Sequence, residues 1–515
     1  MSTGKPFDLS GDQPLRGGML IVAAILLASA NFIAVLDMTI ANVSVPNIAG
    51  SLGISSSQGT WIITSYSVAE AIVVPLTGWI AGRFGAVRTF ACAMIVFGAF
   101  SAFCGISNSL EMLVAGRICQ GLSGGLLMPL SQTLLLRIFP KEKATQAMGL
   151  WAMTTLTAPI LGPILGGSIC DTWSWPFIFF INVPLALICA PVMWGMLKRY
   201  ETKSVKLPID VVGLLLLVTF VGSLQLMLDL GKEHGWFEDP TIIALAVVAA
   251  IGFVAFVIWE LTAEHPIVDL RVFRHRGFTM SVIVLSLAFG SMFAANVLTP
   301  LWLQTNMGYT STWAGYATAW SGVLAVAAAP FVGMRLAKVD PRRMIFIGLL
   351  WIAFITWLRS SVNNDFTYWQ ISIPLMLVGL GMPFFFVPLT ALSLGSVEEH
   401  ETASAAGLQN FLRTLSGAVG TSVVQTVWED KTTYNHEELA GLTDRSGDAM
   451  NQMMASGMNH DEALSYLNHM VDREAVTLAT NQVMAVVALC FAISALVIWL
   501  APKPKRAVSM AEAGH

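Results

Sequence analysis

The sequence has few charged residues for its length. Only 12% of its 515 residues are Asp, Glu, Lys or Arg, whereas soluble globular chains carry about a quarter. So little charge cannot cover a water-facing surface of this size, which excludes a secreted domain, a cytosolic enzyme and a nucleic-acid-binding protein. The chain is instead 55% hydrophobic. Apolar runs of about 20 residues, each long enough to cross a bilayer as a helix, recur from one end to the other.

The residues that build metal sites, disulfide frameworks and nucleotide-binding loops are scattered or missing. The six cysteines fall in or beside apolar runs without metal-ligand spacing, so we interpret them as small buried apolar residues. No histidine lies inside an apolar run, and no glycine-rich loop ends in Lys followed by Ser or Thr. We therefore expect no metal, no cofactor and no ATP hydrolysis, which leaves an ion gradient as the energy source.

The apolar runs predict an all-α polytopic membrane protein with fourteen transmembrane helices, since helices satisfy their own backbone groups in lipid. The predicted spans are 19–45, 60–80, 87–106, 110–137, 145–170, 176–198, 209–231, 240–262, 278–306, 312–336, 341–359, 367–394, 404–428 and 476–501. Of the 28 lysines and arginines, 21 lie on one side of the membrane, five on the other and two inside spans. Because positive charge accumulates in cytoplasmic segments, we predict that both termini are cytoplasmic.

Two short sequence echoes indicate an internal repeat. Residues 78–88 and 333–343 share Gly and basic positions at a shift of 255, and residues 147–150 resemble 405–408 at a shift of 258. The chain then divides into six spans, two extra spans and six more. Two parallel six-helix halves around a central cavity are the plan of the major facilitator fold, with a substrate site near the membrane midplane.

This plan predicts five segments along the chain. They are a cytoplasmic tail (1–18), a first six-helix half (19–198), two extra transmembrane helices with linkers (199–277), a second six-helix half (278–501) that includes a polar periplasmic loop (429–475), and a cytoplasmic tail (502–515).

Charges inside spans are costly and therefore functional candidates. Asp37 and Arg117 lie at matching depths in the first and fourth spans, which predicts an ion pair. A carboxylate that alternates between such a partner and a drier setting can take up a proton on one side and release it on the other; a static structural pair is the alternative. Glu70, in the middle of the second span, either faces the cavity, where it binds a proton or a cation, or packs as a neutral acid. We rank Glu70 second to Asp37.

Other polar and apolar residues are candidates for the cavity wall. The chain has 28 Phe, 16 Trp and 25 Met, and walls of such residues adapt to varied apolar ligands; lipid contact or helix packing is the alternative for most of them. Gln120 lies one helical turn from Arg117 and is placed to share its network. Arg413 is expected to pair with backbone carbonyls or a polar neighbour. The candidate cavity residues are Glu70, Gln120, Met292, Phe293, Phe384, Phe385 and Arg413.

The fifth span carries two prolines and three glycines in ten residues. Pro159 and Pro163 remove backbone donors and predict a break or bend in the helix. Gly162, Gly166 and Gly167 allow a neighbouring helix to approach closely. The functional interpretation is a bend that closes the cavity on one side and favours outward exchange, and ordinary small-residue packing is the alternative.

Five segments together resemble the EmrB type of 14-span drug:proton antiporters in the major facilitator superfamily. They are Leu36–Ala49, Arg117–Gly121, Ala158–Gly167, Trp175–Pro184 and Asn410–Gly420. The loop after the second span also matches the superfamily at Gly78, Arg83, Gly85 and Arg88, but it has Gly82 where the general family carries an acidic residue.

The resemblance implies a proton-driven multidrug exporter in the bacterial inner membrane. It also implies two partners, a periplasmic adaptor of the EmrA type and an outer-membrane channel of the TolC type. The 429–475 segment, with an amphipathic helix around Asp461–Met470, is either a solvated loop or the adaptor's docking surface. Two other functions stay open, which are a dedicated exporter of one class (fatty acids, bile salts or a siderophore) and a membrane receptor or enzyme.

Overall fold

The structure is a computed structural model that describes residues 15, 17–54, 56–140, 144–202, 208–231, 234–264, 266–336, 339–398, 401–443 and 447–503. Within these ranges every regular element is helical, which confirms the all-α prediction. Most of the two predicted tails lies outside the described residues.

Seventeen α-helices follow one another in the described ranges. They are α1 Gly18–Leu52, α2 Ser56–Val73, α3 Thr77–Phe84, α4 Ala86–Gly105, α5 Leu110–Ile138, α6 Ala144–Thr172, α7 Phe177–Phe180, α8 Asn182–Leu197, α9 Val211–Leu230, α10 Pro240–Thr262, α11 Arg276–Thr305, α12 Ser311–Leu336, α13 Pro341–Leu358, α14 Tyr368–Leu394, α15 Thr402–Thr443, α16 Gly447–Ala455 and α17 His460–Val497.

Helices occupy all fourteen predicted span positions, but not all of them meet the criteria for a membrane span. In the described residues, twelve helices are long and apolar enough to cross a membrane, and α2 with α3 makes a thirteenth that is bent by 60°. The bend follows from Pro75, which lacks the backbone N–H that would continue α2. The long helix α15 is too polar to qualify. The membrane fold is therefore confirmed, whereas the number fourteen stays a prediction.

The segment predicted as a polar loop, 429–475, is largely helical. α15 continues through it to Thr443, α16 follows, and α17 begins at His460, where Asn459 and Glu462 form a capping box. The predicted amphipathic helix is thus the first part of α17. A hydropathy profile marks the point where the sequence becomes polar. A helix can continue beyond that point, as α15 and α17 do here, so the profile does not show where the helix ends. We call residues 429–443 and 447–475 the outer helical extension.

The helices form two halves, α1–α8 and α11–α17, with α9 and α10 paired beside them. The pair is attached through α9, which contacts α2 and α15, and the Ser422 hydroxyl donates a 2.6 Å hydrogen bond to the Leu228 carbonyl. Across the halves, α6 lies along α12. The Thr312 hydroxyl donates to the Asp171 carboxylate over 2.6 Å, so the halves meet at these ends of α6 and α12.

Two local expectations need correction. α6 is not broken at its prolines, because it continues from Ala144 to Thr172 through both; the bend at these prolines stays a prediction. The six cysteines are free, and Cys104 and Cys189 are buried as expected. Cys92 in α4 is exposed, so the expectation of buried cysteines fails there.

Candidate functional site

A cavity lies between the two halves, with about 1010 Å³ of empty space when its mouth is included. Its walls come from α1, α2, α5 and α6 in the first half and from α11, α12, α14 and α15 in the second. The charged residues among those that line it are Glu70 and Arg413, and most others are apolar, including the Phe and Met side chains Met38, Met128, Phe289, Met292, Phe293, Met382 and Phe386. Such a cavity accommodates an apolar molecule that carries one polar or charged group.

Four of the candidate cavity residues line this space, namely Glu70, Met292, Phe293 and Arg413. Glu70 and Arg413 are 5% and 7% exposed. They come from opposite halves and are near enough to interact electrostatically. The two halves therefore bring one acid and one base to the same cavity.

The other three candidates lie elsewhere. Phe385 is fully buried behind Phe289, with 6.0 Å between the ring centroids, and Phe384 lies against Gly348 of α13. Phe386 lines the cavity instead. Successive helical residues point about 100° apart, so an error of one residue moves a side chain off the cavity. Gln120, the third, belongs to a separate buried network.

Among the described residues, Arg413 bonds to neither of its predicted partners, a backbone carbonyl or a polar neighbour, and contacts a sulfur and an aromatic ring instead. Its Nη2 lies 2.6 Å from the Met128 sulfur, and its guanidinium stands 5.6 Å from the Phe289 ring centroid. Among the described ion pairs, none joins Arg413 to a carboxylate. A guanidinium carries five N–H donors, and Arg413 lines the cavity, so it has donors to offer a ligand there.

The predicted pair of Asp37 and Arg117 is present and almost fully buried, at 0% and 1% exposed. The carboxylate Oδ2 accepts a hydrogen bond from Arg117 Nη1. Its Oδ1 accepts from Gln120 Nε2 at 2.8 Å and from Asn182 Nδ2 at 2.6 Å. Three donors on α5 and α8 therefore hold this carboxylate, which does not line the cavity.

Arg117 makes further contacts besides its ion pair with Asp37. Its Nε donates to the Ile62 carbonyl over 2.9 Å, and Nη1 donates to Gln120 Oε1 over 2.9 Å. The guanidinium stands 4.2 Å from the centroid of the Tyr66 ring, a cation–π distance. Because Tyr66 and Glu70 are one turn apart on α2, the buried network and the cavity share this helix.

Asn182 is a site residue that the sequence interpretation missed. It lies in the Trp175–Pro184 segment, for which no role was predicted. Its side chain also donates to the Ser101 hydroxyl on α4 over 3.1 Å. The signal was its position, since an asparagine inside an apolar run must find buried partners.

The glycines of the fifth-span motif face α1. A Cβ atom on Gly162 would lie 2.2 Å from Thr39 Oγ1, and one on Gly166 would lie 2.9 Å from the Ile40 carbonyl oxygen. Gly167 is also buried. Pro159 and Pro163 line the cavity, so the motif combines a close helix contact with part of the wall.

Replacing Gly162 by alanine is expected to force α1 and α6 apart, because the new methyl group overlaps Thr39. We expect a loss of about 1–3 kcal/mol in stability and reduced transport. The measurement is thermal unfolding of the purified protein together with transport in proteoliposomes. Gly195→Ala in α8 is the control, because a Cβ there has open space. Equal behaviour of the two variants would contradict the close-contact interpretation.

The loop motif after the second span depends on a carboxylate that is distant in sequence. Gly85 has φ +94° between α3 and α4, a conformation that favours glycine. Glu201 Oε1 accepts from the Val87 N–H at 3.0 Å, and Oε2 accepts from the Arg88 N–H at 2.9 Å. Glu201 thus supplies negative charge at the start of α4, where such charge is stabilising.

The motif's other residues lie around this turn. Gly78 is exposed near the start of α3, the Arg83 guanidinium stands 5.6 Å from the Trp79 ring centroid, and Arg88 is exposed.

Substitution of Glu201 by alanine should loosen the turn, because two N–H groups of α4 lose their acceptors. The expected cost is about 1–2 kcal/mol, and amide hydrogen exchange across residues 84–90 should become faster. Glu201→Gln retains one acceptor oxygen and should show a smaller change. Glu437→Ala, which alters an exposed carboxylate of α15, is the control. Unchanged exchange in Glu201→Ala would refute the capping role.

The chain matches the family described as Major Facilitator Superfamily over residues 27–421. It is 42% identical over 496 residues to "Multidrug export protein EmrB" of Haemophilus influenzae, covering 95% of this chain and 97% of that protein. It is 41% identical to "Fatty acid resistance protein FarB" of Neisseria gonorrhoeae, with coverage of 95% and 98%. To the EmrB protein of Escherichia coli it is 40% identical, with coverage of 96% and 97%.

Solved structures of low sequence identity share the fold. A bacterial homologue of the human peptide transporters PepT1 and PepT2 aligns with a TM-score of 0.61 and 12% identity, covering 93% of this chain and 97% of that one. A bacterial homologue of the lysosomal transporter Spinster, in an inward-facing conformation, aligns with a TM-score of 0.57 and 14% identity, with coverage of 95% and 97%. The chain therefore belongs to the Major Facilitator Superfamily and, within it, to the EmrB-type transporters.

Proposed function

We propose that this protein is a proton-driven exporter of structurally varied amphipathic compounds that works by alternating access. The observation that carries the proposal is the cavity between the halves, whose Phe and Met walls hold one acid, Glu70, and one base, Arg413. Apolar walls of this kind tolerate many shapes. The names of the EmrB relatives, which are multidrug export proteins, support the same function.

Glu70 is the residue at which we place the competition between proton and substrate. In the part of the chain that the structure describes, no ion pair within 4 Å holds its carboxyl, whereas Asp37 is held by three donors away from the cavity. A carboxylate in the cavity can bind a cationic substrate from one side of the membrane and a proton from the other. The geometry thus favours Glu70 over Asp37 as the coupling residue, which reverses the order that the sequence favours.

Asp37 and Arg117 have a different proposed role. Their network joins α1, α2, α4, α5 and α8, and we propose that it keeps the first half rigid while the halves move relative to each other. Its contact with Tyr66, one turn from Glu70, links this rigid body to the cavity.

The protein spans the membrane many times, and its named relatives are bacterial. We place both termini in the cytoplasm, on the distribution of positive charge. The outer helical extension then projects into the periplasm. It exposes the side chains of Tyr434, Leu464, Tyr466 and Met470, and exposed apolar groups of this kind are typical of contact surfaces. We propose it as the contact for an EmrA-type adaptor, which would link this pump to a TolC-type channel.

The proposed function is tested in proteoliposomes that contain the purified protein and a pH gradient. Addition of an amphipathic dye or drug should evoke proton release, and a protonophore should abolish its uphill transport. Transport that persists without a proton gradient would contradict the proposal. Adaptor docking is tested separately, since replacement of Tyr434, Leu464, Tyr466 and Met470 by serine should spare transport in vesicles and abolish drug resistance in cells. Unchanged resistance would contradict the docking proposal.

One specific observation favours a narrower substrate range. The relative FarB is named a fatty acid resistance protein, and Arg413 lines the cavity with no described carboxylate within 4 Å of its guanidinium. Comparing dodecanoate with cationic dyes in the same assay distinguishes a multidrug exporter from a dedicated exporter of acidic amphipaths. Transport of the acid alone would establish a dedicated exporter of acidic amphipaths.

A further inference from the structure

A second cavity lies in the second half, away from the central one, and contains an arginine. Its interior and its open mouth together span about 430 Å³ of empty space. Its walls are formed by α11, α13, α14, α17 and the short turn Arg359–Ser361 that follows α13. Given cytoplasmic termini, this end of the molecule faces the periplasm, where lysine and arginine are few.

Arg359 has little to neutralise its charge. Its Nη2 donates one hydrogen bond, 2.7 Å long, to the Thr299 hydroxyl. That hydroxyl donates in turn to the Ala295 carbonyl. Among the described ion pairs, none involves Arg359. The Arg359 side chain is partly buried, so its charge is less well hydrated than a surface charge, and the planar donors of a guanidinium suit a carboxylate or phosphate.

The rest of the cavity suits the other end of an amphipath. Trp302, Phe366 and Met484 provide apolar walls, and Leu358, which is 46% exposed, stands at the boundary with the outer surface. Gln370 also lines the space. Its Oε1 accepts hydrogen bonds from the N–H and the hydroxyl of Thr367, the N-cap residue of α14, at 2.8 and 2.9 Å. The amide N–H groups of Gln370 are therefore available to a ligand.

We propose that Arg359 and Gln370 bind the anionic headgroup of an acidic amphipath at the outer end of the second half, with its apolar chain against Trp302 and Phe366. The shared chemistry is a carboxylate or phosphate on an acyl chain. Two sources supply it, an exported acid leaving the protein and an anionic phospholipid of the surrounding leaflet. The site is distinct from the central cavity, because none of its lining residues lines that cavity.

The test measures binding at equilibrium with no gradient, so its failure would leave the proposed transport function intact. Radiolabelled dodecanoate is bound to the purified protein in vesicles of phosphatidylcholine alone. An Arg413→Gln background removes the cationic group of the central cavity. For the second source, the protein is incubated with vesicles that contain phosphatidylglycerol, and the retained lipid is counted by native mass spectrometry.

Arg359→Gln should weaken binding of at least one of these probes by about tenfold or more, as expected for the loss of a charged hydrogen-bond donor. Gln370→Glu should have a similar effect, because it places a negative charge beside the headgroup. Lys431→Gln, which removes a cation over the Tyr434 ring outside the cavity, is the matched control and should bind as the wild type does.

The outcomes separate the two sources. Loss of dodecanoate binding alone identifies an exit site for acids, and loss of phosphatidylglycerol alone identifies a lipid site. Wild-type binding of both probes by both variants would overturn the proposal. If Arg359→Gln does not fold, Gln370→Glu decides the question, since glutamate at that position still completes the capping box.

Discussion

Asp37→Asn will destabilise the protein and abolish transport, because it leaves the Arg117 guanidinium buried without a counter-charge. Arg117 is 1% exposed, so bulk water does not reach its guanidinium to replace the lost carboxylate. Removing one partner of a buried ion pair costs about 3–5 kcal/mol. We expect a clearly lower unfolding temperature in detergent, less folded protein in the membrane and no measurable transport. Thermal unfolding and the proteoliposome assay measure the two effects separately.

A double-mutant cycle shows whether this loss comes from the pair itself. Arg117→Gln alone should also be severe, but in the Asp37→Asn background it should cost much less, because no unpaired charge is left behind. If Asp37→Asn instead unfolds at the wild-type temperature and only its proton exchange is lost, the pair is not a rigid anchor. Asp37 would then be the proton carrier, as the sequence alone favours.

The membrane architecture was largely predictable because hydropathy depends only on local sequence. Each predicted span contains a helix, and the one bend of more than 40° that the described residues show within a span, between α2 and α3, occurs at Pro75. The outer helical extension was not predictable in the same way. Only the part around Asp461–Met470 has an amphipathic pattern that predicts a helix, and the rest of this polar segment has no apolar face long enough to distinguish a helix from a loop.

The site was predictable where a residue is a charge inside an apolar run, since burying a charge in the membrane is costly. Asp37 and Arg117 stand out as charges inside apolar runs at matching depths, and the structure pairs them. Asn182 gives a weaker signal, because it is polar but uncharged within an apolar run. Glu201 gives none, because it lies outside the spans and its partners are distant in sequence; Glu201 and Arg88 are 113 residues apart. Phe386 lines the cavity and its neighbours Phe384 and Phe385 do not, because helical register around the cavity depends on how the halves pack together.

Glu70→Gln will separate proton coupling from substrate binding, because we expect it to impair the first and keep the second. Glutamine has the size of glutamate and cannot ionise, and the carboxyl lines a cavity instead of holding a described ion pair. We therefore expect near-normal thermal stability. Substrate-evoked proton release should fall by at least about tenfold, in line with the loss of a proton-transferring side chain. Exchange of labelled for unlabelled neutral substrate, which needs no net proton movement, should continue.

The control for this variant is Glu260→Gln, which neutralises a fully buried carboxyl in α10 away from the cavity. It should keep proton release at the wild-type level. A Glu70→Gln protein that still releases protons normally would exclude Glu70 as the coupling residue.

Retained exchange with lost proton release would show that the cavity binds its ligand without this charge, and that Glu70 serves to make the ligand and the proton mutually exclusive. Cationic substrates should then lose affinity more than neutral ones, because only they interact with the carboxylate.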